Sequence, residues 1–166
     1  MDHFERLGFP RRFSMDAAEL ERAYLARSRA VHPDYHLAGS DAELAASLEA
    51  SASVNEAYNT LRDPFARAEY LLRLEGGPSA SEYKQMPAAF LAEMLEAREE
   101  IELARGKPAE TERLERKFQT RFDSLMHQAA AIFAVKPLDE AKRIQIRGLL
   151  NSAKYVRGLL RDLHNE

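Results

Sequence analysis

The chain is predicted to be all-helical, on three observations. Apolar residues recur at three- and four-residue steps along most of its length. Its seven glycines and seven prolines fall mainly between those periodic stretches. Apolar residues make up 45% and charged residues 31%, the balance of a soluble globular protein whose helices carry charged outer faces.

The opening, Met1-Asp2-His3-Phe4-Glu5, is acidic and reads as folded sequence rather than a signal peptide. From Asp16 to Val31, the residues Leu20, Ala23, Tyr24 and Val31 mark the apolar side of a helix. Pro33 lacks a backbone donor and biases His32 away from helical geometry, so this helix ends near His32. An imidazole then lies by the negative pole of the helix, with the Asp34 carboxylate one step beyond on a stiff turn. Such a loop suits recognition by a cationic partner. Arg22 and Arg29 stand seven residues apart and share a face, whereas Arg27 lies on another, its stem expected to pack and its head to reach water. A charged face on an amphipathic helix is also the ordinary solvated face, and Glu19 and Glu21 dilute this one.

Downstream, Asp41 is expected to cap a helix running to about Leu61, with Leu44, Leu48, Ala52, Ala57, Tyr58 and Leu61 on its buried side. Pro64 starts another helix through Leu74, and Gly76 ends it, with Tyr70, Leu71 and Leu74 packing back. The breakers of Glu75 to Ser81 set the boundary: residues 1–76 form one unit, 77–86 a linker and 87–166 a second. The first unit has nine basic against thirteen acidic residues, the remainder fifteen against fourteen, so the total is −3. Three helices follow, Pro87 to Arg105, about Ala109 to Val135 and about Leu138 to His164, divided by Gly106-Lys107-Pro108 and Lys136-Pro137. Leu114, Phe118, Leu125, Ala129 and Ile132 give the middle one an antiparallel-bundle seam. Ile146, Leu149, Ala153, Val156, Leu160 and Leu163 do so for the last.

A charge of −3 offers no general attraction to nucleic acid or an anionic membrane, and no apolar run approaches the ~18 residues of a spanning helix. With no cysteine, the chain can form no disulfide and supply no thiolate to zinc or an iron–sulfur cluster. A cytoplasmic location is the expectation that fits.

Two helices carry apolar residues beyond one packing seam. In the first of the final three, Phe90, Met94, Ala97 and Ile101 form the core stripe, while Leu91 and Leu95 point away beside Ala92, Glu96 and Glu99. In the last, Tyr155 lies nearly opposite the Ile146 stripe, with Ile144 and Leu159 on its side. A small apolar patch rimmed by carboxylates suits protein binding, although a helix wedged between two neighbours also needs a wide apolar face. His32, Asp34 and His36 have a spacing that raises the alternative of a metal-dependent enzyme, but three ligands from one short loop are awkward and no second shell is evident. No phosphate loop, nucleophile elbow or acid–base pair is visible, so neither enzymatic activity nor a cofactor is expected.

The succession Asp2, Phe4, Leu7-Gly8-Phe9-Pro10, Ala23-Tyr24, His32-Pro33-Asp34, Asn55-Glu56-Ala57-Tyr58-Asn59-Thr60-Leu61 and Pro64 resembles the J-domain of DnaJ-type co-chaperones. The opening and Arg67-Ala68-Glu69-Tyr70-Leu71-Leu72 look like the HscB branch, which serves iron–sulfur cluster assembly. Phe90-Leu91 and Arg98-Glu99-Glu100 extend the likeness into the second half. The resemblance implies an N-terminal J-domain, a helical hairpin bearing the His-Pro-Asp loop, followed by a C-terminal three-helix bundle. It further implies that His32, Pro33, Asp34, Arg22 and Arg29 engage a DnaK-type (HscA-like) chaperone and stimulate its ATPase. Leu91, Ala92, Leu95, Glu96, Glu99 and Tyr155 would hold an IscU-like scaffold, with Ala92 standing where a larger apolar residue is typical. A J-protein serving a different client is the alternative within this resemblance.

Overall fold

The computed structural model describes residues 1–35 and 38–165, and all of its regular elements are helices. It divides into two compact units, Met1–Leu71 and Leu72–Glu166. In the first unit α1 (His3–Arg6) is set by a capping box: Asp2 accepts the Glu5 amide while the Glu5 carboxylate accepts the Asp2 amide. α2 (Ala17–Val31) starts on Asp16, whose carboxylate accepts the amides of Ala18 and Glu19, and stops at His32, an extended residue before proline. A single 3-10 turn, Pro33–Tyr35, leads towards α3 (Asp41–Arg62).

Ser40, rather than Asp41, caps α3, because its hydroxyl accepts the Glu43 amide and Glu43 reaches back to the Ser40 amide. Asp41 becomes the first helical residue, where its charge suits the dipole. The buried side of α3 also differs from expectation. Ala57 and Leu61 are buried as expected, with Val54 and Ser47 joining them, but Leu48 is 54% exposed and Ala52 is exposed. This helix is so rich in alanine and serine that its pattern defines a face poorly. Leu20 of α2, Phe4 of α1 and Leu61 of α3 are nearly inaccessible, and each such side chain contributes roughly 1.5–3 kcal/mol by burial. Tyr24 stacks on Tyr58 with ring centroids 4.2 Å apart and donates its hydroxyl to Asn55 at 2.7 Å, fastening α2 to α3.

α4 (Pro64–Leu74) begins with proline in its first turn, where no donor is missed. It ends in a Schellman motif: Gly76 has φ +81°, its amide bonds the Arg73 carbonyl, and the Gly77 amide bonds that of Leu72.

The second unit holds α5 (Ala88–Ala104), α6 (Pro108–Phe133) and α7 (Glu140–His164) as a bundle, each helix packed against the other two. Phe90, Met94, Ala97 and Ile101 are all buried, as the core stripe of α5 requires. Along α6 the seam widens to include Phe122, Met126 and Phe133, while Ile132 is half-buried. On α7 the buried face is rotated from the expected one. Leu150 and Leu159 are fully buried, whereas Leu149 and Leu160 are half-buried, because two neighbouring helices share this face.

Candidate functional site

The His-Pro-Asp loop is organised by local bonds. The Tyr35 amide donates to the His32 carbonyl at 3.1 Å, and the Asp34 amide donates to His32 Nδ1 at 3.2 Å. The imidazole therefore spends a ring nitrogen on holding the loop backbone. Pro33 fixes φ in the middle of this turn. Just before it, the α2 carbonyl of Val31 accepts the Ser47 hydroxyl, so one of the orphan acceptors at the helix end is satisfied from α3.

The Asp34 carboxylate is left outside this bonding, its side chain 77% exposed. Among the described residues its neighbour at ion-pair distance is His32, with Nδ1 3.5 Å from Oδ2, and that nitrogen already accepts the Asp34 amide. A carboxylate beyond a helix C-terminus also gains nothing from the dipole there. With no strong partner among the described residues, this outward negative charge is an available acceptor for an external cation. Arg29 joins His32, Asp34, Ser28 and Tyr35 around an open hollow of about 380 Å³. Arg22 is exposed two helical turns earlier on the same face, outside that hollow. Arg27 is exposed too, and its guanidinium lies beside Gly8, close to where a side chain on that glycine would begin.

His36, the third member of the sequence-based metal alternative, lies outside the described residues. Among the described residues no cluster of three histidine, cysteine or carboxylate side chains could hold a metal ion. None of the described helices is long and apolar enough to cross a membrane.

In the second unit, the core stripe of α5 turns Leu91 and Leu95 outward, at 43% and 66% exposure. Ala92, Glu96 and Glu99 are exposed alongside them. Tyr155 of α7 is half-buried, with the edge of its ring towards Phe90 at a centroid distance of 6.4 Å. Its hydroxyl accepts Arg98 Nε at 2.8 Å, and the same guanidinium reaches Asp162 at 3.4 Å. The Tyr155 hydrogen bond, with Asp162 behind it, holds the Arg98 pKa above its ordinary value. Arg98 thus braces the Tyr155 ring, a contact that sequence pattern alone did not indicate. Beside it lies an open cavity of about 490 Å³, bordered by Leu95, Arg98, Glu99, Glu102 and Asp162.

Two residues on the Tyr155 side of α7 are more covered than an outward face would leave them. Leu159 is fully buried in the bundle, and Ile144 is half-buried along a separate groove with Phe90, Arg121 and Leu149. Both corrections follow from the rotation of the α7 face. Leu103, not singled out by pattern, is 72% exposed. The signal for it was the four-residue step beyond Glu99, which the core stripe obscured.

A family model described as the DnaJ domain matches residues 2–70, and another, described as the HSCB C-terminal oligomerisation domain, matches residues 86–163. The co-chaperone protein HscB homolog of Chromobacterium violaceum is 40% identical over 131 residues, covering 78% of this chain and 75% of that protein. Co-chaperone protein HscB of Proteus mirabilis is 37% identical over 134 residues, covering 76% of this chain and 78% of its own. Among solved structures, the chaperone HscB from Vibrio cholerae has a TM-score of 0.83 at 26% identity, covering 98% of this chain and 95% of the other. Human co-chaperone protein HscB has a TM-score of 0.85 at 26% identity, covering 98% and 80%.

Proposed function

The chain belongs to the HscB family of co-chaperones, and from that premise we propose that it stimulates the ATPase of a DnaK-type (HscA-like) chaperone and delivers an IscU-like scaffold in iron–sulfur cluster assembly. The observation that carries this reading is the exposed Asp34 carboxylate, presented on a loop whose imidazole is already spent on the backbone. Asp34 pairs with an arginine of the chaperone, His32 and Pro33 fix the loop, and Arg29 with Arg22 meets an acidic surface. A ligand shifts a conformational equilibrium only through differential affinity for its two states. The J-domain therefore binds the hydrolysis-competent state of the chaperone more tightly and leaves the bond chemistry to it. This chain itself acts as no enzyme and works in the cytoplasm, without nucleic acid or membrane.

The outward face of α5, with Leu91, Ala92, Leu95, Glu96 and Glu99, and the braced Tyr155 form the scaffold-binding surface. Support for this comes from the exposure of the α5 residues and their separation from the core stripe, with Tyr155 half-buried beside them. Without cysteine the chain offers the cluster no thiolate, so the cluster's cysteine ligands are the scaffold's to provide.

Single-turnover hydrolysis by an HscA-like chaperone tests the whole reading, with this chain added alone and together with an IscU-like scaffold. Stimulation by the chain, raised further by the scaffold, is expected. Stimulation that the scaffold leaves unchanged assigns a different client, and an unchanged basal rate rejects the co-chaperone role.

A further inference from the structure

Of the six tyrosines, Tyr35 alone is exposed, at 70%, and the others are half-buried or buried. Those others are engaged within their own units. Tyr24 stacks on Tyr58 and bonds Asn55, Tyr70 accepts the His3 amide, Tyr83 donates to Gln85, and Tyr155 accepts from Arg98. Two of the rings also carry a guanidinium, Arg62 lying 5.7 Å from the Tyr58 centroid and Arg98 5.2 Å from that of Tyr155. Tyr35 has neither kind of support. Among the described residues its hydroxyl has no hydrogen-bond partner and no cation of this chain lies over its ring. Its ring contact is with His32, the two rings nearly perpendicular at 81° with centroids 6.4 Å apart. Its amide is tied to the His32 carbonyl, so the backbone is held while the ring stays open.

Tyr35 borders the same hollow as Asp34, Arg29, His32 and Ser28. Two complementary features meet there. Asp34 offers its carboxylate oxygens, and Tyr35 offers the negative face of a π system. Arg29 uses neither: among the described residues it makes no ion pair with Asp34 and does not lie over Tyr35. A guanidinium is planar, donating from its edge and stacking on its face, so it can use the carboxylate and the ring together. An ammonium is a compact, strongly hydrated point charge and fits the pair less well.

We propose that Tyr35 is a further chaperone-binding residue, and that the arginine received by Asp34 lies flat against the Tyr35 ring. The inference rests on the reading of Asp34 as the chaperone contact. The ring is the working part, because a π face needs no hydroxyl. Docking then covers an aromatic surface that the free chain leaves in water, and it places that gain beside the charged contact.

Single-turnover hydrolysis by an HscA-like chaperone is measured against the concentration of the full chain, for the parent, Tyr35→Phe, Tyr35→Leu and Asp34→Asn. Leucine keeps apolar bulk and loses the π face. The expected result is that Tyr35→Phe stimulates at the parent's concentrations. Tyr35→Leu should need roughly two- to thirtyfold more for half-maximal stimulation, the range of a cation–π contact, and reach the parent's maximum at saturation. If Tyr35→Leu matches Tyr35→Phe while Asp34→Asn is inactive, the ring seat is overturned and the Asp34 reading stands. Full stimulation by Asp34→Asn overturns both. Equal weakening of Tyr35→Phe and Tyr35→Leu assigns the contact to the hydroxyl and overturns the seat. Circular dichroism of Tyr35→Leu should match the parent, and a loss of helical content would make the ring a packing element and overturn the proposal as well.

Discussion

The Ser47 hydroxyl lies 2.5 Å from the Val31 carbonyl oxygen, a bond that joins α3 to the last turn of α2 one residue before His32. Ser47 is buried, so this bond stands in for water at the end of α2. The loop that carries Asp34 is thereby anchored from a helix sixteen residues away.

Ser47→Ala should cost about 0.5–1.5 kcal/mol of stability through loss of that bond. It should also lower stimulation of the chaperone ATPase, because the loop loses its support while Asp34 remains. Chemical denaturation and single-turnover hydrolysis measure the two effects. Full stimulation by the variant would show that the loop holds its shape without Ser47.

Asp34→Asn should abolish stimulation and leave helical content unchanged, since the carboxylate is exposed and packing does not require it. Loss of a hydrogen bond to a charged group is worth ~1.5–3 kcal/mol, enough to weaken the encounter roughly ten- to a hundredfold. His32→Gln should behave similarly, because the ring nitrogen that accepts the Asp34 amide is gone. Circular dichroism and the hydrolysis assay decide the matter.

Leu91→Ala with Leu95→Ala should weaken scaffold binding while shifting unfolding by no more than about 0.5 kcal/mol, the range of surface changes. Leu159→Ala is the contrasting case: that side chain is fully buried, and its truncation should cost about 2–5 kcal/mol. Melting curves beside scaffold titrations separate a binding face from a packing face. A large loss of stability in the first variant would place both leucines in the core.

Glu100 contributes a pH dependence with a defined sign. The hydrogen bond from Lys117 holds its carboxyl below the ordinary glutamate value, Arg113 assists, and partial burial opposes them. A depressed folded pKa gives stability that is fully present above the unfolded pKa and is lost as pH falls through the folded one. Glu100→Gln should therefore be less stable at neutral pH and lose less on acidification than the parent chain. Denaturant unfolding across the acidic range tests this, and parallel pH profiles would contradict it.

A fragment ending just beyond the Schellman turn, at Gly77, should fold and still stimulate the chaperone but gain nothing from the scaffold. The turn closes its own backbone bonds, and the first unit has its own buried set in Phe4, Leu20, Leu61 and Ala68. A melting curve and the hydrolysis assay check it. An aggregated fragment would make the chain a single cooperative unit.

The helix order was legible because caps and breakers act locally. Asp16 starts α2, Pro33 stops it, and Gly76 closes α4 whatever surrounds them. Facing was less legible where side chains are small or where two neighbours share a helix. On α3 the choice between Leu48 and Ser47 was settled by a bond to Val31 that no periodicity encodes. On α7 the bundle buries Leu159 and leaves Leu160 half-covered, a rotation set by α5 and α6 together. The outward position of Leu91 and Leu95 could be read from the Phe90 stripe, but the Arg98 brace joins positions 57 apart and exists only after folding. The Asp34 loop was readable because three adjacent residues build it.

On α5, Glu93, Glu100 and Glu102 are ion-paired, whereas among the described residues no cation lies at ion-pair distance from Glu96 or Glu99, and this division has a kinetic consequence. A cation arriving at Glu96 or Glu99 displaces water and counter-ions, and no internal ion pair must break first. Long-range attraction of this kind acts on encounter, so added salt should slow association and leave the lifetime of the complex nearly unchanged. Glu93, Glu100 and Glu102 are already paired with Arg121, Lys117 and Arg105, so a cation drawn to Glu96 or Glu99 meets no competition from those three carboxylates' own partners.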